Sequence, residues 1–214
     1  MSADLSLHLV TDHRVPFARL TGIVDAAIDG GVTVVQLRDK TASARDLIAY
    51  AVALADVVAG RAAFVVDDRL DVALAARDAG ARVDGVHLGQ SDVPPQLARR
   101  LLGADAIVGW TANTPVHLDA AHAMPAGTID YLGVGVIRPT ATKADHPEPL
   151  GVAGFAGLAE ATPLPCVAIG GVVADDVAPL RAVGAAGVAV VSAICAADDP
   201  RAAAAAFAVA GARR

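Results

Sequence analysis

The chain carries 214 residues, 55% of them apolar, with 3% aromatic side chains and a formal net charge of −6. That acidic balance argues against a nucleic-acid partner, which normally needs a basic face, and no apolar run approaches the roughly 20 residues that cross a bilayer. With so few aromatics the core has to be built from Val, Leu, Ile and Ala, which suits strands covered on both faces.

The first strand is expected at Leu7–Val10, and Leu20, Ile23, Val24, Ala27 and Ile28 follow at helical spacing until Gly30-Gly31. A second strand, Thr33–Leu37, runs into Arg38-Asp39-Lys40, and a helix from Leu47 to Val58 stops at Gly60. Ala63–Val66 runs into Asp67-Asp68-Arg69, with a helix over Leu70–Ala79 ended by Gly80. Gly85–Leu88 leads through Gly89 to Gln90-Ser91-Asp92, and a proline-opened helix spans Pro94–Leu102. Ile107–Trp110 leads to Thr111-Ala112-Asn113, and Thr114-Pro115 opens the fifth helix. Tyr131–Val136 precedes Thr140-Ala141-Thr142-Lys143 and a long connection to Gly151 that holds Pro147 and Pro149. After a helix at Val152–Ala161 come the strand Cys166–Ile169, the pair Gly170-Gly171 and a helix at Asp175–Val183. Val188–Val191 then ends at Ser192, and Asp199–Ala208 forms the last helix.

Eight strand–helix units with short connections and no break in composition predict one α/β domain over residues 1–214, a single (β/α)8 TIM barrel. An open doubly wound sheet is the structural alternative, because sequence does not display closure. Charged and hydroxyl residues recur at the carboxyl ends of the strands, where such barrels build active sites, so the pattern predicts an enzyme. Cys166 and Cys195 lie in apolar runs far from any Cys-x-x-Cys spacing and read as small buried residues of a reducing compartment. Met1–Ser6 contains Asp4 and no long apolar stretch, so a cytoplasmic protein is expected.

Asp67, Asp68 and Asp92 fall on neighbouring loops, where carboxylates can share a hard cation such as Mg2+ that also takes phosphate oxygens. The structural alternatives are an Asp68–Arg69 pair and Asp92 as a helix cap. Arg38, Lys40 and Lys143 supply cations for a polyanion at the same rim; singly, Lys40 and Lys143 also read as solvated loop residues. Gly170-Gly171 and Ser192, after strands seven and eight, suit a phosphate held by backbone N–H groups, or else a tight turn. His87, inside an apolar run, reads as a core or supporting residue, and Trp110 as packing.

Over nearly its full length the chain resembles thiamine phosphate synthases. The matching stretches are Leu9-Val10-Thr11-Asp12, Gln36-Leu37-Arg38-Asp39-Lys40, Asp67-Asp68-Arg69-Leu70-Asp71, Gly85 through Asp92, Thr140-Ala141-Thr142-Lys143, Ala168-Ile169-Gly170-Gly171 and Val190 through Ile194. The resemblance implies a Mg2+-dependent transferase that joins 4-amino-2-methyl-5-hydroxymethylpyrimidine diphosphate to 4-methyl-5-(2-phosphoethyl)thiazole. Diphosphate would leave first, and the thiazole nitrogen would capture the resulting cation. Asp68 and Asp92 would hold the metal, while Arg38, Lys40 and Lys143 would be the catalytic cations on the leaving group. The implied substrate-binding set is Gln36, Leu37, Arg38, Asp39 and Lys40, then Asp67, Thr111, Thr140, Ala141, Thr142 and Lys143, then Gly171, Val191 and Ser192. Its partners would be these small molecules, with neither nucleic acid nor membrane, and a homo-oligomer is compatible with the chain.

Three positions depart from the family pattern. Asp67 stands where Asn is usual, Thr111 where Ser is, and Asn113 where His is common. A thiazole tautomerase shares the barrel but has no use for a diphosphate clamp, and a non-catalytic thiamine-precursor binding protein is the rival from another class.

Overall fold

The strand–helix alternation closes on itself. In the computed structural model, which describes residues 3–140 and 148–212, eight parallel strands pair in chain order and the last returns to the first. The strands are β1 Leu7–Val10, β2 Val34–Leu37, β3 Ala63–Asp67, β4 Gly85–Leu88, β5 Ile107–Thr111, β6 Tyr131–Gly135, β7 Cys166–Ile169 and β8 Ala185–Val190. Helices α1 Phe17–Asp29, α2 Ala44–Val58, α3 Leu70–Asp78, α4 Pro95–Leu102, α5 Pro115–His122, α6 Gly151–Glu160 and α7 Ala174–Ala182 fill the crossovers. Two more, α8 Ser192–Cys195 and α9 Pro200–Ala212, follow β8.

Side-chain alternation along each strand sorts the apolar residues into two layers. Leu9, Val35, Leu37, Phe64, Val66, Leu88 and Val108 face outward and pack beneath the helices. Val10, Tyr131, Val167 and Ala189 form a separate cluster inside the barrel. Helix starts are set locally: the Ser43 side chain accepts the Asp46 N–H to cap α2, and Thr114 accepts the His117 N–H to cap α5.

The eighth unit differs from expectation. β8 begins at Ala185, three residues before the expected Val188, and it pairs with β7 through a register shift at Cys166/Val167. Ala185, Ala186 and Gly187 lack the branched side chains that signal a strand, so only closure against β7 and β1 reveals them. Ser192 opens the short α8 rather than ending the strand, and α9 packs against α1 and α7.

Candidate active site

The carboxyl ends of the strands open into a cleft of about 390 Å3. From β2 and the turn after it come Gln36, Arg38 and Lys40, from β3 Asp67 and Asp68, and from β4 and its loop His87, Gln90 and Asp92. Thr111 and Asn113, Thr140, Gly170 and Gly171, and Val191 to Ala193 complete the wall. Residues predicted from distant stretches of sequence thus share one mouth.

Leu37 and Asp39 stand outside it. Leu37 points the other way, into the layer beneath the helices. The Asp39 carboxylate is taken up locally, accepting the Thr41 N–H at 2.8 Å and the Ala42 N–H at 2.9 Å. Both line a smaller neighbouring pocket of about 170 Å3 that adjoins the cleft at Arg38. Ala141, Thr142 and Lys143 lie outside the described residues.

At one end of the cleft, charges interlock. Gln36 Nε2 donates to Asp67 Oδ1 at 2.5 Å, and Arg38 Nε stands 3.5 Å from Asp67 Oδ2. Lys40 Nζ lies 2.7 Å from Asp68 Oδ2. Burial, then the neighbouring charge of Asp68, pushes the Asp67 carboxyl up to about 7. Arg38 Nη1 is buried and has no hydrogen-bond partner among the described residues, which leaves a cationic donor unused in the wall of the cleft.

Asp68 and Asp92 are hydrogen-bonded to each other. Burial and the bond to Asp68 raise the Asp92 carboxyl. For Asp68, burial works upward, yet the bonds from Lys40 and Asp92 together hold it below the usual carboxylate range. The two carboxyls thus oppose being ionised together. A divalent cation held between them would draw a carboxylate from each, with phosphate oxygens or water as its other partners. No group of three or more His, Cys, Asp or Glu suited to a metal occurs among the described residues. Asp68 also adopts a φ of 59°, a left-handed conformation that Asp tolerates better than most residues.

Both structural alternatives for these carboxylates give way. Arg69 pairs with Asp71 at 2.6 Å, leaving Asp68 to Lys40. The residue before α4 is Pro94, and Asp92 instead accepts the Gly89 N–H through Oδ2 at 2.7 Å.

The opposite end is made of backbone and neutral groups. Gly170 and Gly171 have φ of 93° and 67°, and a Cβ on Gly171 would lie 2.8 Å from Arg138 Cβ. Arg138 cannot yield easily, because its guanidinium makes two bonds to Asp176 at 2.6 and 2.8 Å. The glycine pair is thus required by the packing of the β7–α7 turn against the segment after β6, whatever else it binds.

A polar chain runs from the barrel interior to the cleft. The Tyr131 hydroxyl lies 3.0 Å from His87 Nδ1, and His87 Nε2 lies 3.1 Å from Thr111 Oγ1. Burial pushes His87 down to about 4. In sequence His87 reads as a core or supporting residue, and Tyr131, a tyrosine within an apolar strand, gives no sign of a role at the site. Only the fold shows how tightly the pair is seated: a Cβ on Gly109 would fall 2.3 Å from Tyr131 Cζ, and one on Gly133 would fall 2.9 Å from His87 Cε1. Asn113, where the family pattern commonly has His, braces the rim by accepting the Gly135 N–H at 3.1 Å.

No helix among the described residues is long and apolar enough to cross a membrane. The sequence model of the thiamine monophosphate synthase family matches residues 7–194. A thiamine-phosphate synthase of Psychrobacter sp. is 46% identical over 205 residues, covering 95% of this chain and 94% of that protein. One of Corynebacterium jeikeium is 47% identical, covering 94% and 92%. Among solved structures, a thiamine phosphate pyrophosphorylase from Pyrococcus furiosus superposes with a TM-score of 0.82 at 31% identity, over 98% of this chain and 96% of its own. With the closed barrel and the clustered rim residues, these matches make the chain a member of the thiamine monophosphate synthase family.

Proposed function

We propose that this chain, acting as one catalytic domain, joins 4-amino-2-methyl-5-hydroxymethylpyrimidine diphosphate to 4-methyl-5-(2-phosphoethyl)thiazole. The products are thiamine phosphate and diphosphate. The observation that carries the reading is the polarity of the cleft. Arg38, Lys40 and the Asp68–Asp92 pair crowd one end, and the other is built from Gly171, Val191 and Ser192. Two substrates, each ending in a phosphate group, match two such ends.

Asp68 and Asp92 would hold Mg2+, which when bound neutralises charge on the diphosphate. The unpaired Arg38 N–H and Lys40 would donate to the same group. Lys143 would join them. Gln36, held by its bond to Asp67, would seat the pyrimidine. Thr140, Thr142, Gly171, Val191 and Ser192 would hold the thiazole phosphate.

In the reaction the bond between the pyrimidine methylene and the diphosphate oxygen breaks, and both electrons leave with the oxygen. The thiazole nitrogen then supplies the pair for the new C–N bond. Such a substitution needs leaving-group stabilisation and positioning more than a strong base. Support comes from relatives named thiamine-phosphate synthase, two of them 46% and 47% identical to this chain.

Incubation with both substrates and Mg2+ should yield thiamine phosphate and diphosphate in equal amounts, and nothing when either substrate is omitted. An isomerised thiazole without diphosphate release would point to the tautomerase instead.

A further inference from the structure

Two hydrogen bonds inside the barrel carry a directional consequence. Among the described residues, His87 Nδ1 is the hydrogen-bond partner of the Tyr131 hydroxyl. Tyr131 is 1% exposed, so its O–H proton has to be donated to a protein acceptor or be left unsatisfied in the core. If Nδ1 carried a proton, alone or in a doubly protonated ring, it would be a donor and the tyrosine proton would have no acceptor. Hydrogen-bond accounting therefore puts the imidazole proton on Nε2.

Nε2–H then donates across 3.1 Å to Thr111 Oγ1, which is occupied as an acceptor. No other partner of the Thr111 hydroxyl exists among the described residues, and Thr111 lines the cleft. Its own proton is left to point outward, into the space between β5 and the carboxylates of β3 and β4. With the other tautomer, Thr111 would donate inward and turn lone pairs toward a negatively charged ligand, which repels them.

We propose that Tyr131 and His87 are positioning residues that fix the direction of the Thr111 hydroxyl, making it a donor to an oxygen of the departing diphosphate. The inference rests on the reaction proposed above. Gly109 and Gly133 serve the same arrangement by leaving room for the two rings, since a Cβ at Gly109 would come within 2.6 Å of His87 Nδ1. A donor aimed where charge develops contributes mainly to turnover and little to ground-state affinity.

Two measurements decide the matter. In protein labelled with 15N-histidine, long-range proton–nitrogen correlation reads the tautomer of His87, assigned through its loss in His87→Asn. An Nε2–H ring at neutral pH is expected; an Nδ1–H or doubly protonated ring would overturn the proposal. Kinetically, Tyr131→Phe keeps the ring and removes only the hydroxyl, so kcat should fall about tenfold while KM for both substrates stays within about twofold. Thr111→Val should lose at least as much, and the Tyr131→Phe/Thr111→Val double variant no more than Thr111→Val alone. Independent, additive losses would mean that Tyr131 acts only through packing. A wild-type protein that makes no thiamine phosphate would overturn the proposed reaction, yet the nitrogen spectrum would still decide which way the hydroxyl points.

Discussion

Asp92 illustrates how one side chain serves both structure and chemistry. Its Oδ2 accepts the Gly89 N–H at 2.7 Å, and the same carboxyl is bonded to Asp68. Asp92→Asn can keep the first contact and discard the charge. Mg2+-dependent turnover should then fall on the order of a hundredfold with the urea midpoint nearly unchanged. Asp92→Ala should lose turnover equally and about 1 kcal/mol of stability as well, because the Gly89 N–H is left without its partner. Near-normal rates at limiting Mg2+ in both variants would reduce Asp92 to a brace for its loop. Asp67 is a different case. It is turned toward Gln36 and Arg38, which absorb part of the charge that its replacement of the usual Asn introduces. Asp67→Asn should lower the Mg2+ concentration for half-maximal rate by a modest factor of about two, since one fewer carboxylate stands beside Asp68. A raised requirement would make Asp67 a metal ligand.

The strands and helices were mostly legible because each strand is a run of branched residues closed by charged or hydroxyl groups. Val34–Leu37 into Arg38 and Lys40 is the plainest instance, and its polar end lies in the cleft as expected. What the sequence concealed has a common physical cause: small residues in strands carry no signal of their own. Ala185 to Gly187 were silent until paired with β7. Gly109 and Gly133 fall within expected strands and by themselves signal nothing more, whereas they are the room into which His87 and Tyr131 fit. The candidate site residues were recognisable one by one, but which of them lean away was not. Leu37 follows strand alternation to the outer face, and Asp39 is captured by its own turn. Strand β5 offers a direct check. Gly109→Ala would place a methyl 2.3 Å from Tyr131 Cζ and 2.5 Å from its hydroxyl, both within a packed interior. Denaturant unfolding should show a loss of about 1–3 kcal/mol, and an unchanged midpoint would mean that the barrel interior is looser than these contacts require.

The barrel as a whole stores its polarity in two places, the buried histidines and the two-ended cleft. His8 is pushed down to about 3 by burial, aided by the nearby His87 and opposed by Asp4, and His87 is held at about 4. Both are neutral in the fold, while the unfolded chain takes up protons near pH 6.5. The unfolded state therefore binds more protons below that point, and stability falls as pH drops from about 6.5 toward the folded values. His8 alone should cost about 2 kcal/mol between pH 7 and pH 5. His8→Leu should shrink the drop in unfolding free energy over that interval by this amount, and an unaltered pH slope would contradict the burial of a neutral ring.

Whether a single cleft holds two anions at opposite ends can be read from one calorimetric comparison. Thiazole phosphate is titrated into the protein alone and again in the presence of saturating diphosphate and Mg2+. One equivalent should bind in both cases, with affinity kept or improved when the Arg38–Lys40 end is filled. Displacement of the thiazole phosphate by diphosphate would mean that both anions compete for one site, and the two-ended account would fail.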